Sequence, residues 1–210
     1  MSMGRPDRTL IDSLVADAAP VHRLWPTAAR LAVWVAAWAA FALAVAASMD
    51  WAPLARLDSG RIAAEVIVAL VAVVLWGALA LRAAVPGQTP RAGRVALALV
   101  VALIPLLFWH PAPGPEPFSN GVHCAVRTVA LALLPGLAML WAVRRGAPLA
   151  PRRAAALGGG TGLLSAYLLM RLLCSVDQPA HLFVWHVLPV VAGVALAAAA
   201  GGWWLARWRR

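Results

Sequence analysis

Cys124-Ala-Val-Arg127 and Arg171-Leu-Leu-Cys174-Ser-Val-Asp177 bracket two apolar runs, and the basic loop Arg144-Arg145-Gly-Ala-Pro-Leu-Ala-Pro-Arg152-Arg153 joins them. Cys124 stands 20 residues before Arg144, and Cys174 stands 21 after Arg153. With a helical rise of about 1.5 Å per residue, each run spans roughly 30 Å, the thickness of a bilayer core. So short a loop makes the two helices antiparallel neighbours. Both thiols of the chain therefore reach one end of the hairpin, opposite the basic loop. An arginine lies three residues further into each run, Arg127 and Arg171.

The remaining sequence reads as a membrane frame around this hairpin. Of 210 residues, 63% are hydrophobic, and the mean hydropathy is +0.80. That is too apolar for a soluble domain. Eleven tryptophans suit belts at the membrane interface. The net charge of +10 comes from arginine alone, placed in the loops between apolar runs. This distribution is topological and argues against nucleic acid as a partner. The first 30 residues contain Asp7, Asp12 and Asp17 and no uninterrupted apolar core, so no signal peptide is expected.

Six spans are expected, at about Leu31–Met49, Ile62–Leu81, Val95–His110, Cys124–Val143, Ala154–Leu173 and Phe183–Ala206. The fold expected is all-α, a polytopic bundle of six transmembrane helices with a short cytoplasmic amphipathic helix before it. The third span is short and interrupted by Pro105. Fourteen of the eighteen arginines sort to one side of this arrangement. By the positive-inside rule that side is cytoplasmic and carries both termini; the expected location is a bacterial inner membrane. Gly158, Gly159, Gly160, Gly162, Ser165 and Ala166 in the fifth span permit close helix contact.

Residues 1–28 form the soluble segment, and residues 29–210 the membrane domain. Thr9 is placed to cap a helix on which Leu10, Ile11, Leu14 and Val15 share one face, with Asp12, Ser13 and Asp17 on the other. Val21 and Leu24 add a second apolar cluster. Such a helix either lies on the bilayer or docks in a partner's groove. Interfacial helices usually present a basic polar side, and the three aspartates here favour the partner.

The side opposite the basic loops collects Cys124, Cys174, His110, His123, His181 and His186. Three readings stand open for the thiols: a disulfide, a soft-metal site, or a pair of inert core cysteines. Arg127 and Arg171 would favour the thiolate form. Glu65 lies at the depth of both arginines and is expected to pair with one of them. The alternative is a local Arg61–Glu65 pair one helical turn apart. No catalytic triad, phosphate-binding loop or metalloprotease helix is present, so no enzymatic activity is expected. A membrane thiol-disulfide oxidoreductase would normally relay electrons through a second cysteine pair, which the chain lacks. A small metal transporter would need more polar residues at mid-membrane.

Thr9-Leu-Ile-Asp-Ser-Leu14 followed by Pro20-Val21, Leu24 and Pro26, Cys124 opening a span, Leu134-Pro135-Gly136, Arg144-Arg145-Gly-Ala-Pro, and Cys174-Ser-Val-Asp-Gln-Pro followed by Phe183-Val-Trp185-His186 carry a resemblance over nearly the whole chain. In order and spacing these blocks resemble the NrsF family (OsrA-type), six-helix membrane anti-sigma factors. The resemblance implies sequestration of an extracytoplasmic-function sigma factor and its release under heavy-metal or oxidative stress. It implies sensing at Cys124 and Cys174, with His123, His181 and Asp177 as helpers and Arg127, Arg171 and Glu65 tuning the thiols. It implies sigma-factor binding by Leu10, Ile11, Leu14, Val15, Val21 and Leu24. No obligate cofactor is implied, only a regulatory soft metal ion at the thiols.

Overall fold

The computed structural model describes residues 8–17, 23–48, 59–88 and 121–207, and every regular element among these is a helix. A short helix α1 (Arg8–Ala16) precedes α2 (Thr27–Ala47), α3 (Gly60–Ala83), α4 (Val122–Arg144), α5 (Pro151–Leu173) and α6 (Pro179–Arg207). All but α1 are long and apolar enough to cross a membrane, so the described residues contain five such helices where six were expected. The missing one, about Val95–His110, lies outside the described residues.

The bundle is built around α5. Over its most apolar stretch α5 is 78% buried, against 11–39% for the others. Its composition explains why it can take the centre. A side chain at Gly162 would strike the backbone of Gly136 in α4, with only 2.4 Å from its Cβ to the Gly136 Cα. At Gly160 a Cβ would lie 2.5 Å from the Trp76 ring of α3, and at Gly159 it would lie 2.5 Å from Ala197 of α6. Three different helices thus approach α5 within distances that only glycine allows. The buried hydroxyls of Thr161 and Ser165 donate to Leu157 O and Thr161 O, both at 2.7 Å, so these two side chains are satisfied within α5 itself.

Antiparallel packing of neighbouring helices sorts the charges. One end holds the α4–α5 loop, whose Ala147 N–H donates to Ala84 O at the C-terminus of α3 (2.8 Å), and the end of α6, where Gly202 packs on Arg152. Arg30, Arg82, Arg144, Arg145, Arg152, Arg153 and Arg207 belong to this end. Here Arg145 lies over Trp141 at 3.8 Å, Arg207 over Trp203 at 3.8 Å and Arg144 over Trp204 at 4.9 Å. These pairs form the aromatic and basic rim expected at a membrane surface. The opposite end holds Arg61, Glu65, Cys124, Arg127, Arg171, Cys174 and Asp177, as the sequence sorted them.

Thr9, expected to cap α1, lies within the helix instead. Val15 is 68% exposed and Leu24 is 39% exposed, so neither is used by the core. Val21 lies outside the described residues, as do the side chains of Leu10, Ile11 and Leu14.

Candidate metal centre

Cys124 sits in the first turn of α4 and Cys174 directly follows α5. Its N–H still donates to Met170 O (2.8 Å), but its backbone is extended, so the chain leaves the helix at the thiol. Five residues later Pro179 opens α6, with its missing N–H placed where a helix needs none. This tight reversal sets the histidines of α6 beside the thiols.

His181 and His186 are five residues apart. On a regular helix that spacing puts side chains roughly 140° apart. Here α6 widens into a π-turn over Phe183–Val187. Pro189 gives the physical cause: it cannot donate to the carbonyl four residues back, and its ring would crowd that carbonyl in a regular turn. The wider turn brings residues five apart onto one face, and the two imidazoles stand 5.6 Å apart between ring centroids. Gly121 completes the cradle, since a Cβ there would lie 2.5 Å from both His181 and Trp185.

The result is a cluster of four soft-metal ligands. One ligand atom each from Cys124, Cys174, His181 and His186 lies within 4.8 Å of all the others. Cys174 Sγ and His181 Nε2 are 3.7 Å apart. Both cysteines are free thiols, Cys124 half-buried and Cys174 buried. His181 and His186 are buried as well, and neither ring nitrogen of His186 has a hydrogen-bond partner among the described residues.

Behind Cys174 lies a closed ring of charge. Arg171 Nε meets Glu65 Oε2 at 2.6 Å, and Arg61 Nη1 meets Glu65 Oε1 at 3.1 Å. Asp177 Oδ1 accepts from Arg171 Nη2 at 3.0 Å, and Asp177 Oδ2 pairs with Arg61. Two guanidiniums balance two carboxylates, and Glu65 and Arg171 are fully buried. Glu65 thus makes both pairs considered from the sequence. Since Arg171 and Asp177 stand three residues either side of Cys174, the ring fixes that thiol relative to α3.

Of the proposed helpers, His181 joins the cluster and His123 does not: it is exposed, one residue round the helix from Cys124. Asp177 is engaged by the two arginines rather than the thiols. Arg127 is exposed and stands outside the charge ring. His186 is a ligand beyond the helpers expected from the sequence; its five-residue spacing from His181 carries no helical signature of a shared face. His110 lies outside the described residues.

Five helices long and apolar enough to cross a membrane, with thiols and imidazoles gathered at one end of the bundle and arginines at the other, fit the class of membrane-embedded helical proteins. The chain belongs to the NrsF family: the family described as negative regulator of sigma F matches residues 14–208. Membership makes it a negative regulator of a sigma factor. No curated protein and no solved structure was found to match.

Proposed function

We propose that the protein is an inner-membrane anti-sigma factor that holds an extracytoplasmic-function sigma factor at its cytoplasmic N-terminal segment. It releases that factor when heavy-metal or oxidative stress is sensed at Cys124 and Cys174. The observation that supports this most is the meeting of two free thiols from different helices at the end opposite the arginine-rich rim. If the basic end is cytoplasmic, as arginine placement favours, the thiols face the periplasm. The sigma-binding surface is assigned to Leu10, Ile11, Leu14, Val15, Val21 and Leu24, of which Val15 and Leu24 are exposed.

Signalling follows from packing. Cys124 belongs to α4, Cys174 to the end of α5, and these are neighbours in close backbone contact through Gly136 and Gly162. A ligand that draws the thiols together acts on that contact. It shifts a two-state equilibrium only by its differential affinity for the two states.

The test is capture of the sigma factor encoded nearest the gene by full-length protein in detergent, and by a Met1–Arg30 peptide. Capture is expected for both, and Leu10→Asp or Leu14→Asp should abolish it. Capture unaffected by either substitution would remove this face as the binding surface, and no capture by full-length protein would refute the anti-sigma reading.

A further inference from the structure

We infer that Cys124, Cys174, His181 and His186 form a closed four-coordinate site for a divalent cation that prefers tetrahedral sulfur–nitrogen ligation, of the zinc or cadmium type. The proposal deepens the sensor reading above: it rests on that reading for its use in regulation, not for its chemistry. What it adds is the two histidines, the coordination number and the class of ion.

Geometry comes first. In a tetrahedral Cys2His2 centre, with metal–sulfur bonds of about 2.3 Å and metal–nitrogen bonds of about 2.0 Å, ligand atoms stand roughly 3.3–3.8 Å from one another. Cys174 Sγ and His181 Nε2 already lie at 3.7 Å, and no pair in the cluster exceeds 4.8 Å. Closing the site takes a movement of the ligand atoms of about 1 Å.

His186 supplies an independent observation. It is fully buried, and neither of its ring nitrogens has a hydrogen-bond partner among the described residues. Buried polar groups in folded proteins are nearly always satisfied, so an imidazole within 4.8 Å of three metal-ligand atoms and without a hydrogen-bond partner among the described residues is placed to share an ion with them. The π-turn that aims it there spans the residue itself, and π-turns concentrate at functional sites.

Charge sets the ion. Two thiolates and two neutral imidazoles carry two negative charges, which a divalent cation cancels. A monovalent soft ion would leave one charge in a buried centre. The carboxylate closest in sequence, Asp177, is engaged by Arg61 and Arg171, so no oxygen ligand favours calcium or magnesium. Four protein ligands leave no open position, as in structural and regulatory centres rather than catalytic ones.

The experiment uses reduced, metal-free, full-length protein in detergent, titrated with Co(II) as a spectroscopic probe and then with Zn(II) or Cd(II). One equivalent of Co(II) should give thiolate charge-transfer absorption with intense tetrahedral bands, and Zn(II) or Cd(II) should displace it. His186→Ala should weaken binding by more than the roughly 10–100-fold that loss of an outer-shell partner costs. His186→Cys should bind with a third thiolate in the spectrum, and the exposed His123→Ala should match the parent. Weak six-coordinate bands, or parental affinity in both His181→Ala and His186→Ala, would overturn the proposal. So would loss of binding in His186→Cys when its helical content is unchanged. Capture of the sigma factor is read in the same preparations. Tetrahedral metal binding without capture refutes the anti-sigma reading and leaves this site; capture with metal binding indifferent to the histidines does the reverse.

Discussion

Glu65→Gln is the most informative single perturbation of the bundle. The carboxylate bridges Arg171 at 2.6 Å and Arg61 at 3.1 Å, and both Glu65 and Arg171 are fully buried. Removing one partner of a buried pair leaves an uncompensated charge, at a cost of about 3–5 kcal/mol. Asp177 stays within 3.0 Å of Arg171 and keeps part of the balance, which puts the expected loss at the lower end, about 3 kcal/mol. The assay is reversible unfolding of purified protein in mixed micelles, followed by helical circular dichroism. Maleimide labelling of Cys174 is measured alongside, because the ring holds the residues three before and three after it. Glu65→Gln should lower stability and speed labelling of Cys174. Removing both charges in Glu65→Leu with Arg171→Met should cost less than Glu65→Gln alone, because Arg61 and Asp177 remain a balanced pair. If the double variant is the less stable of the two, or if Glu65→Gln costs under about 1 kcal/mol, the ring is not an electrostatic clamp.

Other expectations follow from the same contacts. Gly162→Ala would push a methyl group against the Gly136 backbone and should cost about 1–3 kcal/mol or more, while slowing oxidative cross-linking of Cys124 to Cys174; parental stability would show that the two helices separate freely. Mild oxidant should convert the two thiols into an intramolecular disulfide, seen as loss of maleimide gel shift that reductant restores, because their sulfur atoms lie within 4.8 Å. Affinity for Zn(II) or Cd(II) should rise with pH, with protons released on binding, since thiols must lose their protons to ligate. Calorimetry in two buffers of different ionisation enthalpy measures that release, and a pH-independent affinity would contradict thiolate ligation.

Much of this architecture is written in local sequence. Apolar length, arginine-rich loops and the turn at Gly146–Pro148 define the α4–α5 hairpin, and the thiols meet where loop length requires. That Glu65 pairs with an arginine at its depth is legible too, because buried charges at one depth have few alternatives to each other, but the choice of Arg171 over Arg127 is made by packing. The metal ligands are only half legible. His123 adjoins Cys124 in sequence, yet adjacent helical residues point about 100° apart, and it faces outward. His186 is invisible to helical periodicity because its alignment with His181 depends on a π-turn, itself imposed by Pro189 in a helix already packed against α5. Asp177 looks like a ligand from its nearness to Cys174, but two arginines, one of them on α3, engage it first. The central position of α5 was only suggested by its glycines; which helix each one admits depends on the tertiary packing.

The central claim is that the thiol end of the bundle controls retention of a sigma factor at the other end. The measurement that tests it is sigma-factor release from full-length protein in nanodiscs on addition of Cd(II), followed by fluorescence of a labelled sigma factor. The expected result is release from the parent and retention by Cys124→Ser with Cys174→Ser, with the unstimulated complexes equally tight. Release that is the same with and without the cysteines would contradict it.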